Sequence, residues 1–224
     1  LRAGFGDTLS AGAGDDALIG FRGDDHLIGG AGDDLLRAGG GNNFLDGGAG
    51  SDLLLGVETH ADIATGLETM LSPPGGPSID VLDGGAGDDV LRMGHGDVGI
   101  GGEGSDIFEV QADPPEDEAH LPVIEDFDPE HDRLVLAVPF TVDQIAAAWP
   151  NTPEHEATVT VEDFEDGSGA TIYVDGEAVA NVTGAQGLDP GLIRLTGSDL
   201  IGPDYAQLEA AKDPALLWHG VPAQ

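Results

Sequence analysis

The chain has 224 residues, 7 Lys and Arg against 43 Asp and Glu, a formal charge of -36, and no cysteine. A field this negative repels nucleic-acid phosphates and anionic lipid surfaces and attracts cations, while the missing thiols exclude disulfides and thiolate zinc sites. The first 25 residues lack the basic start and apolar run of a secretory signal, and no apolar stretch approaches the roughly 18 residues that span a bilayer, so a soluble chain is expected.

The chain opens at Leu1 inside a repeat, as expected of an excised or processed part of a longer protein. From Arg2, in steps of nine, it reads RAGFGDTLS, AGAGDDALI, GFRGDDHLI, GGAGDDLLR, AGGGNNFLD and GGAGSDLLL, six units ending at Leu55. The eighth position holds Leu9, Leu18, Leu27, Leu36, Leu45 and Leu54; the sixth holds Asp7, Asp16, Asp25, Asp34, Asn43 and Asp52.

A period of nine fits neither a helix nor one long strand, but it fits a short strand followed by a glycine turn, repeated, each unit forming half a coil. The leucine then faces inward, contributing roughly 1.5–3 kcal/mol if fully buried, and its neighbours face out. A GGxGxD turn needs glycine because several residues take positive φ and because neighbouring turns approach closely. Its carbonyls point at a shared gap. Carbonyls plus one carboxylate from each of two facing turns give an all-oxygen cage of about six ligands, which suits Ca²⁺ better than the stricter octahedral Mg²⁺.

From Leu54 to Leu82 is 28 residues, one more than three periods, so residues 57–74 are predicted to be degenerate coils or an inserted loop. His60, Ala61 and Asp62 suggest a decayed turn, and Pro73 and Pro74 a loop. The pattern resumes at Gly75 with GGPSIDVLD, GGAGDDVLR, an imperfect MGHGDVGI and GGEGSDIFE, ending at Glu109. Inward positions are predicted at Leu82, Leu91, Ile100 and Phe108, and the matching aspartates are Asp80, Asp89 and Asp106. The third turn, around Asp97 and Val98, matches poorly.

GGAGDDLLR and GGAGDDVLR resemble the nonapeptide of RTX (repeats-in-toxin) proteins, a calcium-binding motif. The resemblance implies an all-β fold, a right-handed parallel β-roll with two nonapeptides per turn, and several calcium ions between successive loops on the same edge. Carried onto this sequence, one edge holds Asp16, Asp34 and Asp52, with Gly12, Gly14, Gly30, Gly32, Gly48 and Gly50 supplying carbonyls. The other holds Asp7, Asp25 and Asn43. There Phe21 and Arg22 replace small residues, Asn43 replaces a carboxylate, and the Gly4–Asp7 turn is one residue short, so weaker or missing sites are expected. In the second block the resemblance assigns Asp80, Asp89 and Asp106 with Gly85 and Gly87, and one site between the loops of Asp89 and Asp106.

After Glu109 glycine thins out, and Pro114, Pro115 and Glu116-Asp117-Glu118 mark a solvated connection. Strands are predicted over 121–127 and 133–138 around an Asp128-Pro129-Glu130 turn, and IEDFDPEHDRLVL is similar to the segment that follows the repeats in many RTX proteins. Val142, Ile145, Ala146 and Trp149 fall at helical spacing. Strands follow at 157–164, 170–174 and 178–182, with a hairpin turn at Asp175-Gly176, and another strand at 192–195. The last coil of a roll exposes unpaired backbone and apolar side chains, and this segment is placed to cover it. The organisation expected is therefore 1–56 and 75–109 as two repeat blocks, 57–74 between them, 110–200 as a β-rich C-terminal cap, and 201–224 as a tail with a short helix over 204–218.

Other chemistries find little support. A flexible linker does not explain the leucine column, and like charges at turn edges repel inside the Debye length of about 8 Å unless a counter-ion relieves them. His26, His60, His95, His120, His131, His155 and His219 show no zinc-ligand spacing, and His155-Glu156 lacks the second histidine of a protease zinc helix. No nucleophile elbow, phosphate loop or dinucleotide fingerprint occurs, and 43 acidic residues make any chosen carboxylate pair uninformative. No catalytic residue is assigned.

The expected function is a secreted bacterial calcium-binding module, unfolded in the producing cell and folded outside it. The resemblance implies export by the type I secretion machinery through an uncleaved C-terminal signal, though WHGVPAQ is not a diagnostic ending. The alternatives are the C-terminal module of a secreted protease, lipase or polysaccharide-active enzyme, and a surface-layer or adhesive protein whose acidic face contacts the cell envelope or another copy. Asp-Pro bonds at Asp113, Asp128, Asp189 and Asp213 resemble sites of calcium-triggered self-cleavage in some RTX proteins, but the dipeptide is common in acidic turns.

Overall fold

The computed structural model describes residues 1–56, 79–112, 120–138 and 157–197. The helix predicted around Trp149, the 204–218 helix, the residues near His60, the Pro114 connection and the Asp-Pro bonds at Asp113 and Asp213 lie outside the described residues.

Strands alternate strictly between two sheets through the repeats. β1 (Thr8–Ala13), β3 (His26–Ala31), β5 (Phe44–Ala49), β7 (Val81–Ala86) and β9 (Val98–Glu103) lie side by side in one parallel sheet. β2 (Ala17–Ile19), β4 (Leu35–Arg37), β6 (Leu53–Leu55), β8 (Val90–Met93) and β10 (Ile107–Gln111) form the other. The strands of the first sheet are longer because they run on from the leucine through the Gly-Gly pair of the next unit. This is an all-β parallel β-roll. The two repeat blocks form one stack: β5 pairs directly with β7 and β6 with β8, with no coil between them.

The side-chain alternation follows the predicted pattern. Leu18, Leu27, Leu36, Leu45, Leu54, Leu82 and Leu91 are fully buried between the sheets, and Phe108 continues the column. Leu9, in the first coil, is covered from one side only and stays half-buried. Ile100 does not point inward as expected. MGHGDVGI is one residue short, so Gly99 rather than Ile100 pairs with Leu82, and Ile100 pairs with the outward Asp83. Met93 fills the space left beside Gly99.

The C-terminal strands extend both sheets. β11 (Val123–Ile124) continues the first sheet from β9, and β12 (Arg133–Val138) continues the second from β10. β11 is shorter than the predicted 121–127 strand, since Glu125 and Asp126 turn away from the sheet. β13 (Val159–Asp163), β14 (Gly169–Val174) and β15 (Glu177–Thr183) form an antiparallel meander whose last strand joins β11. The Asp175-Gly176 turn has φ of 53° and 86°, the pair of positive values that a tight hairpin requires. In place of a strand from 192, Pro190–Leu192 makes a 3₁₀ turn capped by Asp189, and β16 (Arg194–Gly197) follows against β12. Phe127 packs on Phe108 with ring centroids 6.1 Å apart, so the apolar core passes without a break from the last coil into this end piece.

Candidate metal centre

The turns gather along two edges of the roll. The first edge carries turns 11–16, 29–34, 47–52, 84–89 and 101–106. The second carries turns 3–7, 20–25, 38–43 and 93–97, with Asp80 closing a turn that begins outside the described residues.

On both edges the sixth-position aspartates form ladders. Along the first, the backbone N–H of Asp16 donates to Asp34 Oδ1 at 2.7 Å, Asp34 to Asp52 at 2.7 Å, Asp52 to Asp89 at 2.6 Å and Asp89 to Asp106 at 2.9 Å. Along the second, Asp7 donates to Asp25 at 2.7 Å, Asp25 to Asn43 at 2.9 Å, Asn43 to Asp80 at 2.8 Å and Asp80 to Asp97 at 2.9 Å. The fifth position runs the opposite way: Asp15, Asp33, Asp24 and Asp88 accept the N–H of Asp33, Ser51, Asn42 and Ser105 in the following coil. These reciprocal bonds fix the spacing of the turns.

The second carboxylate oxygen separates open turns from closed ones. On the first edge, Oδ2 of Asp34, Asp52 and Asp89 is buried and has no hydrogen-bond partner. Each is turned back toward the first glycine of its own turn. A methyl group built on Gly29 would strike Asp34 Oδ2 and lie 2.7 Å from the Gly47 carbonyl oxygen of the next coil. Gly47 has the same relation to Asp52 and the Gly84 carbonyl (2.6 Å), and Gly84 to Asp89 and the Gly101 carbonyl (2.7 Å). Asp106 Oδ2 faces Gly101 likewise.

The predicted carbonyl donors belong to the same first-edge turns. A side chain on Gly30, Gly48 or Gly85 would collide with the carbonyl oxygen of Gly12, Gly30 or Gly48 one coil earlier, so those oxygens point into the gap between turns. Gly32 at φ 130° and Gly50 at φ 133° show why the fourth position takes glycine, since a Cβ is both strained there and blocked by the previous coil.

On the second edge the turns of Asp7, Asp25 and Asp97 satisfy themselves, while Asp80 keeps a buried Oδ2 outside its ladder bonds. Oδ2 of Asp7 accepts the Gly4 N–H at 2.6 Å, Asp25 that of Phe21 at 3.3 Å, and Asp97 that of Gly94 at 2.7 Å. The short turns 3–7 and 93–97 bring their glycine N–H onto the carboxylate. Asp97, absent from the sequence-predicted ligands, occupies the sixth-position place and is buried.

Burial raises the pKa of the first-edge carboxylates: Asp34 upward, Asp52 and Asp106 to about 6, and Asp89 to about 7, with like-charged neighbours adding to the effect and ladder N–H groups opposing it. A row of buried carboxylates with unsatisfied oxygens, facing backbone carbonyls, is the donor set of a hard cation. Among the described residues no three acidic or imidazole side chains converge on one point.

A family model describing four copies of the RTX calcium-binding nonapeptide repeat matches residues 3–36, 19–54 and 74–109. The coils are RTX calcium-binding repeats. No curated protein matches the chain.

The RTX repeat is a calcium-binding unit, not a catalytic one. Two residues beyond the matched repeats join its ladder. Asp132 Oδ1 accepts the Asp106 N–H at 3.0 Å, while Asp126 takes the N–H groups of Gly101 and Gly102 on its two oxygens at 2.9 and 2.8 Å. Asp132-Arg133-Leu134 repeats the sixth-to-eighth-position D-x-L signature, which is the signal that identifies it in sequence. Of the histidines, His26 packs edge-on to Phe44 at 4.8 Å, and His131 Nδ1 pairs with Asp128 at 2.9 Å. No helix among the described residues is long and apolar enough to cross a membrane.

Proposed function

We propose that the chain is a secreted module that folds when it meets extracellular calcium, with residues 110–200 capping the roll. The observation that carries this reading is the row of buried, partnerless oxygens on Asp34, Asp52 and Asp89. Without a cation, folding must bury carboxylates beside one another. With calcium the same burial becomes favourable, since the ion completes what the turns leave unsatisfied.

The first edge holds the ions through Asp16, Asp34, Asp52, Asp89 and Asp106, with carbonyls of the glycine pairs at 12 and 14, 30 and 32, 48 and 50, and 85 and 87. Calcium supplies positive charge to these oxygens and locks successive turns in register. Each site at 100 times its dissociation constant adds about 2.7 kcal/mol to stability, so several sites suffice to switch a domain of ordinary marginal stability. In a calcium-poor producing cell the chain stays unfolded and fit for the type I machinery, and folding outside draws it forward.

Circular dichroism in excess chelator followed by calcium titration tests this. The expected result is weak β signal in chelator and a cooperative gain at calcium of about 10⁻⁴–10⁻³ M, with magnesium a poor substitute. Full β-structure in chelator, unchanged by calcium, would refute the switch.

A further inference from the structure

On the second edge one side chain already does what a cation would do. Asn43 sits at a sixth position and is buried, and its Oδ1 keeps the ladder bond from the Asp25 N–H. Its Nδ2 then donates to the Gly41 carbonyl oxygen at 3.0 Å and to Asp80 Oδ1 at 3.0 Å. Gly41 is the fourth-position glycine of its turn, corresponding to Gly14, Gly32, Gly50 and Gly87 on the first edge. The amide orientation follows from the network, since exchanging its oxygen and nitrogen would set two donors against each other at Asp25.

An –NH₂ group thus lies between a turn carbonyl and a neighbouring carboxylate, the two kinds of oxygen that a metal ion would join. The turns of Asp25, Asp7 and Asp97 are also closed without metal, by the N–H groups of Phe21, Gly4 and Gly94, while Asp80 keeps a buried Oδ2 outside its ladder bonds. We infer that the two edges of the roll differ in duty: calcium loads on the first, while around turn 38–43 the second is a metal-independent spine in which Asn43 replaces the ion.

This rests on the calcium reading above and adds a division of labour to it. As calcium orders the first edge, the spine holds the facing turns at the same coil spacing without an ion of its own.

The test counts calcium bound per full chain, by equilibrium dialysis with elemental analysis, for wild type, Asn43→Asp and Asp52→Asn. Asn43→Asp removes the amide and restores a carboxylate, and is expected to bind one more calcium per chain and to need more calcium for full β signal. Asp52→Asn places the amide beside the Gly50 carbonyl and is expected to bind one fewer ion while keeping the β signal at saturating calcium. An unchanged count in a folded Asn43→Asp, with the wild type binding normally, overturns the spine and leaves the calcium reading standing. Should Asn43→Asp not fold at any calcium concentration, Asp52→Asn decides: loss of its β signal at saturating calcium overturns the proposal. A wild type that binds no calcium refutes the calcium reading itself.

Discussion

The roll and its C-terminal cap use aspartate in opposite ways. In the cap, carboxylates are answered by the backbone: Asp126 takes the N–H groups of Gly101 and Gly102, Asp132 those of Asp106 and Asp128, Asp163 that of Gly187 and Asp175 that of Thr158. Along the first edge of the roll, Asp34, Asp52 and Asp89 each have one oxygen answered by the ladder and one left over. The same residue type therefore acts as a finished turn device in one region and, in the proposed calcium reading, as half of a metal site in the other. Loop shape makes the difference. A short or proline-containing turn brings an N–H onto the carboxylate, as Gly94 does for Asp97 and the 128–132 loop for Asp132. A GGxGxD turn opens and presents carbonyls instead.

Acid provides the largest test of this contrast. The folded pKa values of Asp52, Asp106 and Asp89, about 6, 6 and 7, stand above the ordinary aspartate value of 3.8. Between these limits the folded state binds more protons than the unfolded one, so metal-free stability falls as pH rises through the window and is greatest near its acidic end. Each carboxylate contributes on the order of 1 kcal/mol or more, and the effect is summed over the row. In chelator, lowering pH from 7.5 to 4.5 should raise β signal and melting temperature, while in calcium it should displace the ion and weaken binding. The exposed Asp128 of the cap has the opposite sign: His131 holds its pKa below the usual value, and its contribution is lost as pH falls through that lowered pKa. His131, raised by the same contact, contributes below its unfolded value of 6.5 and loses that contribution as pH rises through its folded pKa.

Asp89→Asn sharpens the comparison with a change of sign. In chelator it should stabilise by about 1–3 kcal/mol, by removing a buried charge with an unmet oxygen, and in calcium it should destabilise by weakening a site. Thermal melts in both conditions read the crossing. The counterpart in the cap, Asp126→Asn, should cost a smaller amount, about 1 kcal/mol, and the same in chelator as in calcium, because its partners are backbone N–H groups. A calcium-dependent cost there would break the distinction.

Much of this was legible in the chain. The leucine column specified the inward faces, and the aspartate column specified which turns share an edge but not the hydrogen-bonded ladders between them, because a nine-residue period leaves each residue type one place to go. The errors came where the period slips. In MGHGDVGI the missing residue hid Asp97 and moved the inward position from Ile100 to Gly99, and outside the repeats Asp132 carried the signature without its glycines. Composition also could not say which oxygen stays unanswered. That depends on whether a turn N–H reaches Oδ2, which distinguishes Asp25 from Asp34 although both close a G-D-D sequence.

The most direct measurement is anomalous diffraction from crystals grown in calcium. Peaks are predicted along the first edge, between the turns that end at Asp34, Asp52 and Asp89, within coordination distance of Oδ2 and the facing glycine carbonyls. First-edge turns without anomalous density at saturating calcium, with those carboxylates still buried, would contradict the account.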